Sequence, residues 1–183
     1  MIFITVGSEL PFDRLIRTID EWAGANNRHD VFAQIGPSDF HPAHIEYRPF
    51  LDPPEFRRRF EHADIIVAHA GMGTVLTALE MGKPLLVIPR RAHLGEVRND
   101  HQQATAERLR ERGQVHVAFD NDELRFALGG IDQLSPGEKI PAFAGNELVG
   151  TVRNFINEVA EQRLVRRASR NPFRLRPRVR HVA

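Results

Sequence analysis

Residues 65–88 read Ile65-Ile66-Val67-Ala68-His69-Ala70-Gly71-Met72-Gly73-Thr74-Val75-Leu76-Thr77-Ala78-Leu79-Glu80-Met81-Gly82-Lys83-Pro84-Leu85-Leu86-Val87-Ile88. The apolar run predicts a strand over 65–68, and the glycines a turn. A helix follows from about Thr74 to Met81, ended by Gly82 and barred from continuing by Pro84. Leu85–Ile88 is the next strand. Outward from this unit the alternation repeats. Ile2–Val6 is a strand ending at Gly7, and Phe12, Leu15, Ile16, Ile19, Trp22 and Ala23 keep helical spacing. Strands are expected at Val31–Ile35 and His44–Tyr47. Asp52-Pro53-Pro54 starts a helix that puts Phe56 and Phe60 on one face. A helix over Asn99–Arg112, a strand over Val115–Ala118 and a short helix near Asp122–Leu128 follow. Residues 129–145 read as loop. A last helix from about Glu147 carries Leu148, Val149, Val152, Phe155, Ile156 and Val159 on one stripe. Short, almost uninterrupted apolar strands between helices predict an α/β fold: an open, mostly parallel sheet with helices on both faces, Rossmann-like.

The 183 residues suit one domain. The net charge of +1 hides a split. Residues 163–183 hold eight Arg and no acid, leaving 17 basic against 24 acidic residues, a charge of −7, in 1–162. We therefore expect a domain over 1–162 and a basic, flexible Arg-rich tail over 163–183. Pro172 and Pro177 oppose a long helix in that tail. No apolar run is long enough to span a membrane, and the first residues read as a strand rather than a signal peptide. The lack of cysteine excludes disulfides, thiolate metal sites and a Cys nucleophile, and fits the cytoplasm.

Ligands of open α/β sheets bind beyond the carboxyl ends of strands. His69-Ala70-Gly71-Met72-Gly73-Thr74 occupies such an end. Gly71 and Gly73 permit close backbone approach, and the following helix offers unpaired N–H groups and a positive dipole end, suited to a diphosphate. A tight turn required only for packing is the competing reading. The spacing lacks both the third glycine of the dinucleotide fingerprint and the Gly-Lys-Ser/Thr of the phosphate-hydrolysing loop. A second polar cluster, Pro89 to Gln103, follows the next strand. Arg90, Arg91 and Arg98 are candidate phosphate contacts, and Asn99, Asp100, Gln102 and Gln103 match a sugar with several hydroxyls. A solvated loop with a capped helix start explains the same residues.

The strings His-Ala-Gly-Met-Gly-Thr at 69–74, Gly-Lys-Pro at 82–84, Val-Ile-Pro-Arg at 87–90 and Asn-Asp-His-Gln at 99–102 appear in that order. With Gly7-Ser8 and Pro11-Phe12-Asp13, they resemble the carboxyl-terminal nucleotide-sugar domain of GT-B glycosyltransferases of family 28. The likeness is strongest to the small catalytic subunits of split enzymes, namely the cytosolic subunit of the eukaryotic dolichyl-diphosphate GlcNAc transferase and bacterial exopolysaccharide glycosyltransferase subunits. It covers roughly residues 1–160. The resemblance implies a single GT-B half that binds a UDP-sugar donor and transfers the sugar with inversion, with no essential metal or other cofactor. It places Gly71, Gly73 and Thr74 at the diphosphate, Gly7 and Ser8 near the donor, Asp100, Gln102 and Gln103 at the sugar, and Ile88 near the uracil. The carboxylate that the family commonly carries three residues after the Ser/Thr, for the ribose hydroxyls, is here Thr77, a weaker single-armed contact. Glu80 lies one turn on.

A whole GT-B enzyme reacts in the cleft between two domains, and the family's general base lies in the half not represented here. The resemblance thus implies a membrane-attached partner subunit that presents a lipid-linked or polysaccharide acceptor and the base. His69 has two readings, a base or a structural and substrate-contacting residue. His101 caps its helix or touches the donor. No His/Asp spacing suggests a metal site. The tail is either a solvated extension, an arm for a membrane surface or partner, or a nucleic-acid contact. The acidic body and lack of an aromatic platform disfavour nucleic acid, and Phe173, Leu175 and Val179 between arginines favour an amphipathic contact. The competing functions are a nucleotide-sugar epimerase of the same architecture and a non-catalytic nucleotide-sugar sensor or scaffold.

Overall fold

Six short strands form one parallel sheet in a computed structural model, which describes residues 1–169. They are β1 (Ile2–Thr5), β2 (Val31–Gln34), β3 (Glu46–Arg48), β4 (Ile65–His69), β5 (Leu85–Ile88) and β6 (His116–Val117), in the order β3-β2-β1-β4-β5-β6. All five pairings are parallel, with Ile4 opposite both Ala33 and Val67. The expected open α/β sheet is present. The helices are α1 (Asp13–Ala25), α2 (Pro53–His62), α3 (Met72–Met81), α4 (His101–Glu111), α5 (Asn121–Gly129) and α6 (Asn146–Ser169).

Side chains alternate across a strand, so a sheet covered on both faces needs apolar residues at every central position. Ile2 and Ile4 join Leu15, Ile16 and Ile19 of α1 and Leu124 and Leu128 of α5 on one face. Phe3 and Ile66 join Phe60 of α2, Val75 and Leu79 of α3 and Leu109 of α4 on the other. Each such side chain contributes roughly 1.5–3 kcal/mol by burial. Phe3, Phe56 and Phe60 form an aromatic triangle with centroids 5.5–6.2 Å apart. Phe56 and Phe60 thus share a face as their spacing predicts.

Local signals act as their chemistry dictates. The Asp52 carboxylate accepts from the Glu55 N–H at 2.7 Å and caps α2. Lys83 donates to the carbonyls of Glu61 and Ala63, placing a cation at the carbonyl end of α2.

Some bounds differ from expectation. The third strand is shifted to Glu46–Arg48, an edge strand with exposed ends that lacks the apolar alternation of a buried one. α4 starts at His101 rather than Asn99, because the Asn99 carboxamide turns back to the His101 backbone and ring. A 3-10 turn, Ile131–Gln133, interrupts the expected loop after α5, and buried Ile131 anchors it.

Met1–Ile140 forms one compact unit, and a second begins at Pro141. The second contains α6, which continues to Ser169 past the start of the basic stretch. Leu148, Val149, Val152, Phe155 and Ile156 of its apolar stripe are exposed. The interleaved Phe173, Leu175 and Val179 lie outside the described residues. No described helix is long and apolar enough to cross a membrane.

Candidate functional site

The strand order reverses at the centre of the sheet. The chain leaves β1 toward β2 on one side, while β4 leads to β5 on the other. The loops after β1 and β4 therefore part and leave a crevice at the carboxyl ends of these strands, the switch point where α/β sheets bind ligands. Gly7 lies at one lip and His69 to Gly71 at the other.

The His69 ring is wedged between the two glycines. A Cβ on Gly7 would sit 3.1 Å from the ring Cε1, and one on Gly71 would collide with Nε2. Gly7 also has φ +80°, where a side chain is strained. Both positions thus require glycine for a reason that the sequence shows only as a turn. His69 Nδ1 is buried without a hydrogen-bond partner. Burial first, then the charge of Arg90, lower its pKa to about 4, with the Thr5 backbone opposing. The imidazole is therefore neutral at pH 7.

Beyond Gly71 the backbone turns into α3, whose first N–H groups have no intrahelical partner. No side chain caps this end, and the space a Cβ at Gly73 would enter is open. Bare amides, a dipole end and glycine at both flanks make this turn a candidate anion cradle. Thr74, in the first turn, is half-buried. Thr77 donates its hydroxyl to the Gly73 carbonyl at 2.8 Å, so its side chain is turned back along the helix.

Next to the cradle lies a cavity of about 370 Å³, lined in part by Gly7, Ser8, Glu9, His69, His101 and Gln102. Of the sequence-predicted residues, Gly7, Ser8, His69, Gly71, Arg90 and Gln102 come together there. Gly73 and Thr74 belong to the cradle at its edge, while Asp100 and Gln103 are not in its wall.

The two arginines differ in what their side chains hold. Arg90 is 4% exposed and spends both terminal nitrogens on main-chain carbonyls, those of Pro11 and Glu96 from one and of Val6 and Leu10 from the other, at 2.6–3.0 Å. Arg91 donates to the Phe119 carbonyl at 2.6 Å. The Arg90 guanidinium is spent on the protein itself, whereas Arg91 keeps its Nε–H buried without a partner. Asp100 accepts from the Ala92 N–H at 2.9 Å, and buried Gln102 accepts from the Arg90 N–H at 3.1 Å. Their remaining polar atoms are the ones left for a ligand.

Sequence reading missed Glu9, whose only signal was its place after Gly7-Ser8, and Val97 in the wall. It also missed the pair of Arg14 and Glu96, two bonds of 2.7 and 2.9 Å joining α1 to the loop after β5. Among the described residues no three His, Asp or Glu side chains lie together as a metal cluster.

The chain has known relatives. The model of the glycosyltransferase family 28 C-terminal domain matches residues 1–128. The human UDP-N-acetylglucosamine transferase subunit ALG13 is 28% identical over 127 residues, 62% of this chain and 10% of the human protein. The ALG13 subunit of Cryptococcus neoformans is 39% identical over 62 residues, 33% of this chain and 29% of that protein. The chain thus spans about a tenth of the human relative's length. Among solved structures, the glycotransferase of kitacinnamycin superposes with TM-score 0.54 at 26% identity, covering 72% of this chain and 34% of that one. The solution structure of ALG13 superposes with TM-score 0.52 at 17% identity, over 74% and 87%, a likeness of fold. With its sheet order, its glycine-flanked cradle and this match over most of its length, the chain belongs to the glycosyltransferase family 28 C-terminal domain family.

Proposed function

We propose that this chain is the donor-binding, catalytic subunit of an inverting UDP-sugar glycosyltransferase that needs no metal. The observation that carries the reading is the uncapped amino end of α3 opening onto the cavity between the β1 and β4 loops. The cradle at Gly71, Gly73 and Thr74 holds the diphosphate, and the sugar extends into the cavity toward Ser8 and Gln102. As an acceptor hydroxyl attacks the anomeric carbon, the bond to the diphosphate breaks, and charge develops on the departing UDP. Fixed amides and the helix dipole stabilise that charge, a metal's usual task. His69, neutral beside the cradle, offers hydrogen bonding without a counter-charge. Acceptor binding and the base that takes the hydroxyl proton come from a membrane-anchored partner, a reading that the subunit nature of human ALG13 supports. This places the chain at the cytoplasmic face of a membrane, with 1–162 as the working domain and 163–183 as a basic arm toward the anionic leaflet or the partner. Salt-sensitive binding to anionic vesicles, lost on truncation after Gln162, tests the arm; salt-independent binding refutes it.

Calorimetry with UDP tests the donor site, and sugar transfer with partner-containing membranes tests catalysis. Transfer by the isolated chain would contradict the need for a partner. One observation favours a second reading, a nucleotide-sugar sensor. Thr77, in the place of the family's ribose-binding carboxylate, is bonded to Gly73. UDP binding with no transfer under any partner supply supports the sensor.

A further inference from the structure

We propose that Arg90 is a positioning residue of the donor pocket, a buried cation that clamps residues 6–11 into the pocket wall and supplies positive potential behind it. The proposal rests on the UDP-sugar reading for the identity of the ligand, and on geometry alone for the clamp. Four main-chain carbonyls converge on one guanidinium, and three of them, from Val6, Leu10 and Pro11, bracket the Gly7-Ser8-Glu9 wall. The fourth belongs to Glu96, so one side chain ties the loop after β1 to the loop after β5. Phe12 closes the arrangement, its ring centroid 4.7 Å from the guanidinium carbon. A planar group with its donors in a fixed fork suits this task, and lysine cannot reproduce it.

The charge is unusual. Among the described residues no carboxylate bonds to the Arg90 side chain, because Glu96 gives its oxygens to Arg14 and the Arg91 N–H. Burial lowers the Arg90 pKa, and Glu96 and Glu9 oppose this only through space. A buried cation facing neutral carbonyls attracts an anion in the adjoining cavity. The same charge acts on His69 and helps to keep it neutral.

Arg90→Gln and Arg90→Lys test this in the full chain, with melting curves to establish folding. Three readouts apply: the Kd for UDP, amide exchange at residues 7–10, and the NMR titration of His69. The glutamine variant is expected to weaken UDP binding about tenfold or more, speed exchange across 7–10 and raise the His69 pKa. The lysine variant keeps the cation without the fork. It should hold His69 near its low pKa yet still exchange fast, and it carries the test if the glutamine variant does not fold. Millimolar guanidinium should restore UDP binding to Arg90→Ala. Folded variants with UDP affinity within about twofold of wild type and unchanged exchange overturn the proposal. Failure of the wild type to bind UDP contradicts the donor reading instead, and exchange and the His69 titration then still decide the clamp.

Discussion

The two polar strand ends, His69–Thr74 and Arg90–Gln103, carry equal promise as sequence and do opposite things in the fold. The second is rich in charged and amide side chains, and several of them bind one another or the main chain: Arg90 to four carbonyls, Glu96 to Arg14, Asp100 to Ala92, Asn99 to His101. The first is nearly bare of polar side chains, and its backbone amides and the space beside Gly73 are left free. Buried or half-buried polar groups must be satisfied, so dense polarity next to a core is mostly consumed by the fold. Capacity for a ligand collects where backbone donors are left over.

The largest expected effect breaks that comparison at the bare end. Gly73→Asp adds a negative charge at the cradle where no atom opposes the side chain. UDP affinity should fall on the order of 100-fold or more while the melting temperature stays nearly constant. A variant that loses stability in step with affinity assigns Gly73 to folding rather than binding.

His69 comes next. Its folded pKa of about 4 lies below the ordinary 6.5, so the unfolded chain binds the extra proton between those values. Stability is therefore full above about pH 6.5 and lost as pH falls toward 4, by about 3 kcal/mol for this group. Denaturant titrations at several pH values should show this slope, and His69→Asn should flatten it. An equal slope in the variant removes His69 as its source.

Gly71→Ala should cost roughly 1–3 kcal/mol through collision with the His69 ring. Adding His69→Ala should recover much of that cost in a double-mutant cycle. Additive losses contradict the wedge.

At the consumed end, Asp100→Ala should lower stability by about 1 kcal/mol through loss of its bond to the Ala92 N–H, with only a few-fold change in UDP affinity. Parallel melting and calorimetry separate the two. A large, selective loss of affinity would restore Asp100 as a main donor contact.

The sheet was readable because it follows from local chemistry. Ile65–Ala68 and Leu85–Ile88 are apolar without interruption, and Pro84 and Pro89 bound the second. Asp52 before two prolines behaves as a cap. The edge strand at Glu46–Arg48 was harder to place, since an exposed edge lacks the alternation that marks a covered one. The glycine cradle was visible as spacing after a strand. The reason for Gly7 and Gly71 was not, because it resides in the ring of His69 pressed between residues far apart in the chain. Arg90 was misread for a related reason. Its partners are carbonyls, which every residue carries, so nothing in the sequence distinguishes an arginine that clamps a loop from one that meets a phosphate.

The central claim is that the bare amino end of α3 is a nucleotide diphosphate site. Calorimetric titration of UDP into the wild-type chain and into Gly73→Asp tests it most directly. The account predicts saturable binding by the wild type and none by the variant at millimolar UDP. No wild-type binding at that concentration, or equal binding by both, would contradict it.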